Sequence, residues 1–312
     1  MNQQNNSDFI HFIYTPFTGL GNPPYRGNNW FVRRISIFKN YTLKSLLNQT
    51  NKNFVHWMSF RAEEKDNPLL QMLYLYLSSI KDYKFIMTFG GTAYWDDKYE
   101  EDNLLERLRA TLPFLGKVMT GKEKYVMMTI LASDDMYASD AVEVFQSYGY
   151  DEKRLLVFYH GYIYNIKTKQ LGTWEPPDMC MPPFYTIFFP TESFLDPDKH
   201  YEYTQAYKDH WLVEDLFNTI KIPMRGKYCV TVHGNNISTR WNQRGRGLLR
   251  LAQAVSDHSM WKLIPQILKK EWLYPFRAFV NLKIFNRHHF IGKIFWFDST
   301  KKKILKTFGA TL

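Results

Sequence analysis

Cysteine is scarce in this sequence, and long apolar runs and internal repeats are absent. The two cysteines, Cys180 and Cys229, have no metal-ligand spacing and form no disulfide framework, which excludes a cysteine-rich zinc module or a disulfide scaffold. No run reaches the roughly 18 apolar residues that a membrane span needs. Residues 1–8 lack the basic and apolar regions of a signal peptide. We therefore expect a cytoplasmic protein that is not integral to a membrane.

Aromatic residues, by contrast, are abundant. They make up 17% of the 312 residues, within a composition that is 45% hydrophobic and 22% charged. These proportions are typical of a folded chain and not of a disordered one. The length suits one large α/β domain or two smaller ones.

The net charge of +10 is concentrated at one end of the chain. Residues 261–312 contain eleven Lys or Arg residues against Glu271 and Asp298, so residues 1–260 are nearly neutral. This basic, aromatic segment is either a subdomain that packs on the body, a surface for anionic membranes, or a nucleic-acid contact. We expect a body of residues 1–260 and a basic tail of residues 261–312.

Strand-like and helix-like segments alternate through the first half of the body. This order predicts a mostly parallel sheet flanked by helices, a Rossmann-like α/β fold. The predicted strands are 9–14, 54–60, 84–88 and 125–131. The predicted helices are 34–49, 69–80 and 101–116.

The strand predicted at residues 125–131 ends close to two adjacent carboxylates, Asp134 and Asp135. Asp140 and Glu143 then have the spacing of a capping box that opens the next helix. In open α/β sheets, ligands bind at the carboxyl ends of strands. The pair is therefore either a solvated turn or a site where a divalent cation holds a diphosphate.

The second half of the body is less regular. Residues 155–166 suggest strands of a mixed sheet or a hairpin, and the proline-rich stretch 176–197 suggests an extended loop region beside an acceptor cleft. Residues 201–220 are predicted as a helix. The strand predicted at 228–232 leads into His233 and a polar loop, which is a second candidate for a site.

Four segments, in order and in register, carry a resemblance to a known family. They are Thr15-Pro16-Phe17, residues 42–50 followed by Asn53-Phe54, residues 129–135, and residues 232–238. Together they resemble the bacterial rhamnosyltransferase family, which belongs with the GT-A glycosyltransferases. The similarity covers roughly residues 8–245 and leaves the basic tail unaccounted for.

The resemblance implies a sugar transferase with a nucleotide-sugar donor across the carboxyl ends of the strands, a donor half at about 8–150 and an acceptor half at about 151–260. Its diphosphate would be bridged to the acidic motif by Mn²⁺ or Mg²⁺. Two positions depart from the family pattern. Ala132 replaces the first acid of the motif, and Pro16 stands where relatives have Arg, so Arg33 or Arg34 would supply that charge instead.

The same resemblance assigns roles to individual residues. The metal ligands would be Asp134, Asp135 and His233, and an inverting reaction would use Glu214 or Asp215 as the base that deprotonates the acceptor hydroxyl. The donor would contact Thr15, Phe17, Arg33, Ser133, Asp134, Asn235 and Ser238. The acceptor would be a surface glycan or a lipid-linked precursor, in which case the basic tail would rest on the inner face of the membrane.

Two other functions compete with sugar transfer. A metal-dependent nucleic-acid-binding or nuclease-like protein would use the same acids and the basic tail, although the sequence has no nucleic-acid motif. A GT-A fold that binds its ligand without turnover is the second, because one acid is missing at Ala132.

Overall fold

The computed structural model describes residues 8–18, 27–90, 101–151, 154–167, 170–174, 184–201, 213–224, 226–234 and 236. The strands are β1 (Phe9–Pro16), β2 (Val55–Ser59), β3 (Phe85–Thr88), β4 (Tyr125–Ile130), β5 (Met136–Tyr137), β6 (Arg154–Phe158), β7 (Gly161–Asn165), β8 (Gln170–Trp174), β9 (Tyr185–Pro190), β10 (Asn218–Ile222) and β11 (Tyr228–Val232). The helices are α1 (Gly27–Asn40), α2 (Thr42–Leu47), α3 (Pro68–Ser78), α4 (Glu101–Gly116), α5 (Ala141–Ser147), α6 (Thr191–Leu195) and α7 (Val213–Leu216), with a 3₁₀ turn at Ala62–Glu64.

Seven strands form the large sheet, in the order β10-β6-β9-β4-β1-β2-β3. All of its pairings are parallel except the two made by β9, which is antiparallel to β4 and to β6. The predicted α/β fold with a mostly parallel sheet is thus confirmed. The carboxyl ends of β1 and β4 lie side by side at one edge of the sheet.

Helices cover both faces of this sheet. Side chains alternate along each strand, and the inner strands therefore present apolar side chains on both faces. Phe12 and Tyr14 of β1 pack with Leu108 and Leu112 of α4 on one face. Ile13, the residue between them, packs on the other face in a cluster that includes residues of α5. Buried strands with apolar side chains on both faces are the reason that β4 reads as a continuous apolar run.

A second sheet brings the later part of the chain next to the loop after β4. Its order is β5-β11-β7-β8, with β11 antiparallel to β5 and parallel to β7. Cys229 of β11 is paired with Met136, the residue directly after Asp135. This pairing places the end of β11 beside the acidic loop.

Several local predictions differ from the structure. The helix predicted at 34–49 is two helices, α1 and α2, with a break at Tyr41. Phe38 of α1 and Leu43 of α2 pack in one core cluster, and Leu46 of α2 packs in another. Residues 155–166 are not a hairpin, since β6 and β7 belong to different sheets.

Two further segments differ from the prediction: one forms regular structure where a loop is predicted, and the other contains a strand where a helix is predicted. In the proline-rich stretch, residues 185–195 form β9 and α6 and not an extended loop. Of the predicted helix at 201–220, the described part is helical only at Val213–Leu216, and Asn218–Ile222 is a strand at the sheet edge. β-Branched residues at Thr219, Ile220 and Ile222 favour the strand.

The capping box predicted at the start of α5 is not formed. Asp140 is the N-cap residue but makes no side-chain cap hydrogen bond, and it accepts a hydrogen bond from Lys227 at 2.6 Å instead. Glu143 accepts a hydrogen bond from Thr50 at 2.9 Å. Tertiary partners have thus displaced the local cap.

Across the described residues, no helix combines the length and the apolar character needed to cross a bilayer. The basic tail, residues 261–312, lies outside the described residues.

Candidate functional site

The candidate site lies at the carboxyl edge of the large sheet, in the loop between β4 and β5. Two hydrogen bonds fasten this loop to β11. The backbone N–H of Thr231 donates to Asp135 Oδ1 at 2.9 Å, and the Thr231 hydroxyl donates to the backbone oxygen of Asp134 at 2.5 Å. The two aspartates are 6% and 7% exposed, so they do not form a solvated turn.

Three side chains from distant parts of the chain meet at one oxygen of Asp134. Arg34 Nη1 donates to Asp134 Oδ2 at 2.6 Å, His233 Nε2 lies 2.9 Å from it, and Asn236 Nδ2 lies 3.4 Å from it. Arg34 Nη1 is also 3.2 Å from His233 Nε2. Since a guanidinium can bond a carboxylate and further oxygens at once, this group is suited to an anionic ligand.

The turn after β11 holds His233 in place. The backbone N–H of His233 donates to Asn236 Oδ1 at 2.8 Å, and Asn236 Nδ2 donates to the Thr231 carbonyl at 2.6 Å. Gly234 has a φ of +87°, a conformation that residues with a side chain rarely adopt. Asn236 thus closes the turn and also faces Asp134.

The pKa values of the two neighbouring carboxyl groups are shifted in opposite directions. Burial disfavours the charged form of Asp134, but the Arg34 guanidinium and the His233 hydrogen bond outweigh it and lower the pKa of Asp134 to about 2. Burial, and then the charge of Asp134, raise the pKa of Asp135 well above its usual range. The charge of the site is therefore held on Asp134, opposite Arg34.

Two polar atoms beside Asp134 are buried and have no hydrogen-bond partner in the part of the chain that the structure describes. They are Arg34 Nε and the hydroxyl oxygen of Ser133, a residue with no exposed surface. Buried polar groups nearly always have a partner. Their presence next to a buried ion pair is consistent with a site that a ligand completes.

The structure places the predicted donor-binding residues unequally. Thr15 and Phe17 lie at the carboxyl end of β1 but face the core. The Thr15 hydroxyl lies 2.9 Å from His56 Nε2, and Phe17 packs on Phe38 and Phe60. Arg33 is exposed, whereas the next residue on α1, Arg34, reaches Asp134.

The predicted bases, Glu214 and Asp215, are not brought to this site. Both belong to α7, which directly precedes β10, and β10 has the same direction as β4. They therefore lie at the amino edge of the sheet, opposite Asp134. Glu214 pairs with Lys221 at 3.2 Å there.

A cleft of about 690 Å³ also lies at the amino edge, at the first residues of β1, β2 and β3. His11, which is part of its lining, is buried, and its two ring nitrogens bond to Thr129 and Gln146 inside the protein. Among the described residues that line the cleft, the acid is Glu123, which accepts a hydrogen bond from the backbone N–H of Thr120. The converging charges are thus at the carboxyl edge.

The remaining predicted contacts, Asn235 and Ser238, lie outside the described residues. The hydrogen bonds of Thr231 to the acidic loop were not predicted, since they depend on the pairing of β5 with β11. Arg34 is one of the two arginines that the sequence offers as the cation near the phosphates, and it is the one that contacts Asp134. Asn236 belongs to the polar loop that follows the strand predicted at 228–232, and it lies 3.4 Å from Asp134 Oδ2.

Among the described residues, no three His, Cys, Asp or Glu side chains form a group that could hold a metal ion. Of the predicted ligands, Asp134 and His233 are in contact, while Asp135 Oδ1 faces the backbone of Thr231.

No protein-family model matches the sequence, and a comparison with curated proteins also gives no match. Among solved structures, the chain is similar to S. aureus TarS, with a TM-score of 0.38, 10% identity, and coverage of 89% of this chain and 43% of TarS. It is similar to mouse xyloside xylosyltransferase 1, with a TM-score of 0.37, 10% identity, and coverage of 73% and 98%. A third is the mannosyltransferase PcManGT from Pyrobaculum calidifontis in complex with GDP-Man and Mn²⁺, with a TM-score of 0.37, 10% identity, and coverage of 89% and 70%. This chain thus spans less than half of the length of TarS, and overlaps of this size do not establish a shared family.

Proposed function

We propose that this protein is a glycosyltransferase that moves a sugar from a nucleoside-diphosphate donor to an acceptor hydroxyl. One observation carries the proposal: Arg34, His233 and Asn236 converge on the buried Asp134 at the carboxyl edge of a parallel sheet. That edge is where α/β folds bind nucleotides. The sequence resemblance to GT-A enzymes supports the same donor class, and rhamnose is the sugar that the resemblance suggests.

The chemistry requires stabilisation of negative charge on the departing diphosphate. The Arg34 guanidinium has five N–H bonds. Its Nη1 contacts Asp134, and its buried Nε has no partner within the described ranges. Such donors can bind phosphate oxygens while Asp134 fixes the direction of the guanidinium. In this proposal Asp134 positions Arg34 and His233, and the loop of Ser133 contributes a hydroxyl.

The divalent cation that the sequence predicts is not supported by the site geometry. A cation of this kind binds oxygen lone pairs, and Asp134 Oδ2 already faces three side-chain nitrogen atoms, one of which belongs to a guanidinium. His233 Nε2 faces both Asp134 and Arg34. This arrangement does not fit a resident dication, so no step is derived through one.

The test is release of nucleoside diphosphate from a panel of UDP-, GDP- and dTDP-sugars by the full chain. Asp134→Asn is expected to lower the rate roughly a hundredfold or more, because Arg34 would no longer be held where it stabilises the charge of the departing diphosphate. Asp198→Asn is the matched control, because its side chain is 72% exposed and lies outside the candidate site. Binding of a donor without turnover would identify a binding module, and cleavage of nucleic acid would favour the nuclease-like alternative.

Two expectations from the sequence have separate tests. Glu214→Gln and Asp215→Asn test the predicted base: because the structure places both residues at the amino edge, away from Asp134, we expect unchanged turnover in both variants. The lipid-linked acceptor predicts that the full chain binds anionic liposomes more strongly than a chain ending near Ser259, because the basic tail is then missing. Equal binding would contradict a role of the tail at the membrane.

A further inference from the structure

We propose, on the basis of the proposed function, that Arg34 supplies the positive charge for the donor diphosphate, so that nucleoside diphosphates bind without a divalent cation. Arg34 is an internal residue of α1 whose side chain is only 11% exposed, and its Nη1 lies 2.6 Å from Asp134 Oδ2. The carboxylate that would otherwise hold a metal ion is thus already paired with a fixed cation.

In the described part of the chain, the hydrogen bonds of the Arg34 guanidinium with protein groups involve Nη1 only. Its Nη1 lies 2.6 Å from Asp134 Oδ2 and 3.2 Å from His233 Nε2, while its buried Nε has no partner among the described residues. A guanidinium bonds phosphate oxygens in its plane through neighbouring N–H groups. Trp30, one turn earlier on α1, has its ring 5.7 Å from the guanidinium carbon and limits the directions that Arg34 can adopt.

The same guanidinium also disfavours a dication at Asp134. A second cation at this carboxylate would lie close to Arg34 in a buried environment, where like charges repel strongly. Arg34 would have to leave before a metal ion could enter. The site is therefore either occupied by Arg34 or by a metal ion, and the hydrogen bonds described above favour Arg34.

The experiment measures the affinity of the full chain for UDP, GDP and dTDP by calorimetry, once with excess EDTA and once with MnCl₂. We expect the nucleotide that binds to do so with equal affinity in both solutions. Arg34→Gln should weaken binding in EDTA about tenfold to a hundredfold, the value of a hydrogen bond to a charged group. Arg109→Gln is the matched control, because it removes the same charge from a side chain on α4 that is 55% exposed and outside the candidate site, and it should leave the affinity unchanged.

Arg34→Gln leaves Asp134 buried without its cation and could therefore unfold the protein. The double variant Arg34→Gln/Asp134→Asn removes both charges together, and circular dichroism checks that it is folded. It should bind no nucleotide in EDTA. Binding by the unaltered chain only in MnCl₂ would overturn this inference and leave the proposed function standing, whereas no binding in either solution would overturn both.

Discussion

Asp135 Oδ1 accepts a hydrogen bond from the backbone N–H of Thr231 at 2.9 Å, which joins the loop after β4 to β11. The neighbouring carboxylate, Asp134, instead faces side chains, among them Arg34 and His233. Two adjacent and equally buried aspartates thus have different roles. Asp135 holds two segments of backbone together, and Asp134 gathers the polar groups of the candidate site.

Asp135→Asn should leave the free energy of unfolding nearly unchanged, since the amide oxygen can accept the same bond from Thr231. Asp135→Ala should lower it by about 1–3 kcal/mol, because the buried N–H of Thr231 is left without a partner. Urea unfolding of both variants measures the difference. Equal losses in the two variants would show that the hydrogen bond is not what Asp135 contributes.

Buried histidines make the fold sensitive to acid. Gln146 Nε2 donates to His11 Nδ1 at 2.9 Å and to the Asn53 carbonyl at 2.7 Å, so His11 is neutral with its proton on Nε2, facing Thr129. Burial lowers the pKa of His11 from 6.5 to about 3. Below pH 6.5 the unfolded chain binds a proton that the folded chain does not bind until about pH 3. Acid therefore favours unfolding in this interval.

The free energy of unfolding should accordingly fall by up to about 1.4 kcal/mol per pH unit for His11 as the pH decreases from 6.5. His56, whose pKa burial also lowers to about 3, adds a similar slope. In His11→Gln the dependence of the unfolding free energy on pH should be weaker by the contribution of one proton, about 1.4 kcal/mol per pH unit. Urea unfolding across this interval measures both slopes, and identical slopes in the two proteins would contradict the assignment.

Lys227 and Asp140 form a buried ion pair at 2.6 Å, with side chains that are 6% and 14% exposed. It joins the start of β11 to the start of α5. Lys227→Met should destabilise the protein by about 3–5 kcal/mol, because it leaves the Asp140 carboxylate without its cation. Lys227→Met/Asp140→Leu should recover part of this loss. A double-mutant cycle by thermal unfolding measures the coupling, and additive losses would argue against a coupled pair.

Gly161 approaches the ring of Tyr228 so closely that an added Cβ would lie 2.3 Å from a ring carbon. Tyr228 is buried and stacks on Phe184 at 3.8 Å between ring centroids, so it has little room to move. Gly161→Ala should therefore lower the free energy of unfolding by about 1–3 kcal/mol or more.

The matched control is Gly116→Ala, whose Cβ would meet Leu195 at an ordinary 3.6 Å. This variant should be neutral or slightly stabilising. Differential scanning calorimetry of both proteins compares them. If Gly161→Ala had the same melting temperature as Gly116→Ala, the Tyr228 ring would be able to move away from the added Cβ.

The sequence by itself determined the local elements of the sheet and the place of the acidic loop. Short-range patterns predict β1, β2, β4 and α4. Burial on both faces of a strand gives a continuous apolar run, and burial on one face of a helix gives apolar residues at helical spacing. Asp134 comes three residues after such a run, the one that ends at Leu131, so its position at the carboxyl edge of the sheet follows from strand direction alone.

The tertiary structure decided which residues face Asp134. Arg34 and Arg33 are alike in sequence, but the rotation of α1 turns one into the site and the other into water. The direction of β10 puts Glu214 at the far edge, although it was predicted to lie at the site. His233 reaches Asp134 because β11 pairs with β5. Contacts between residues about a hundred positions or more apart depend on packing and strand pairing, which local sequence patterns do not encode.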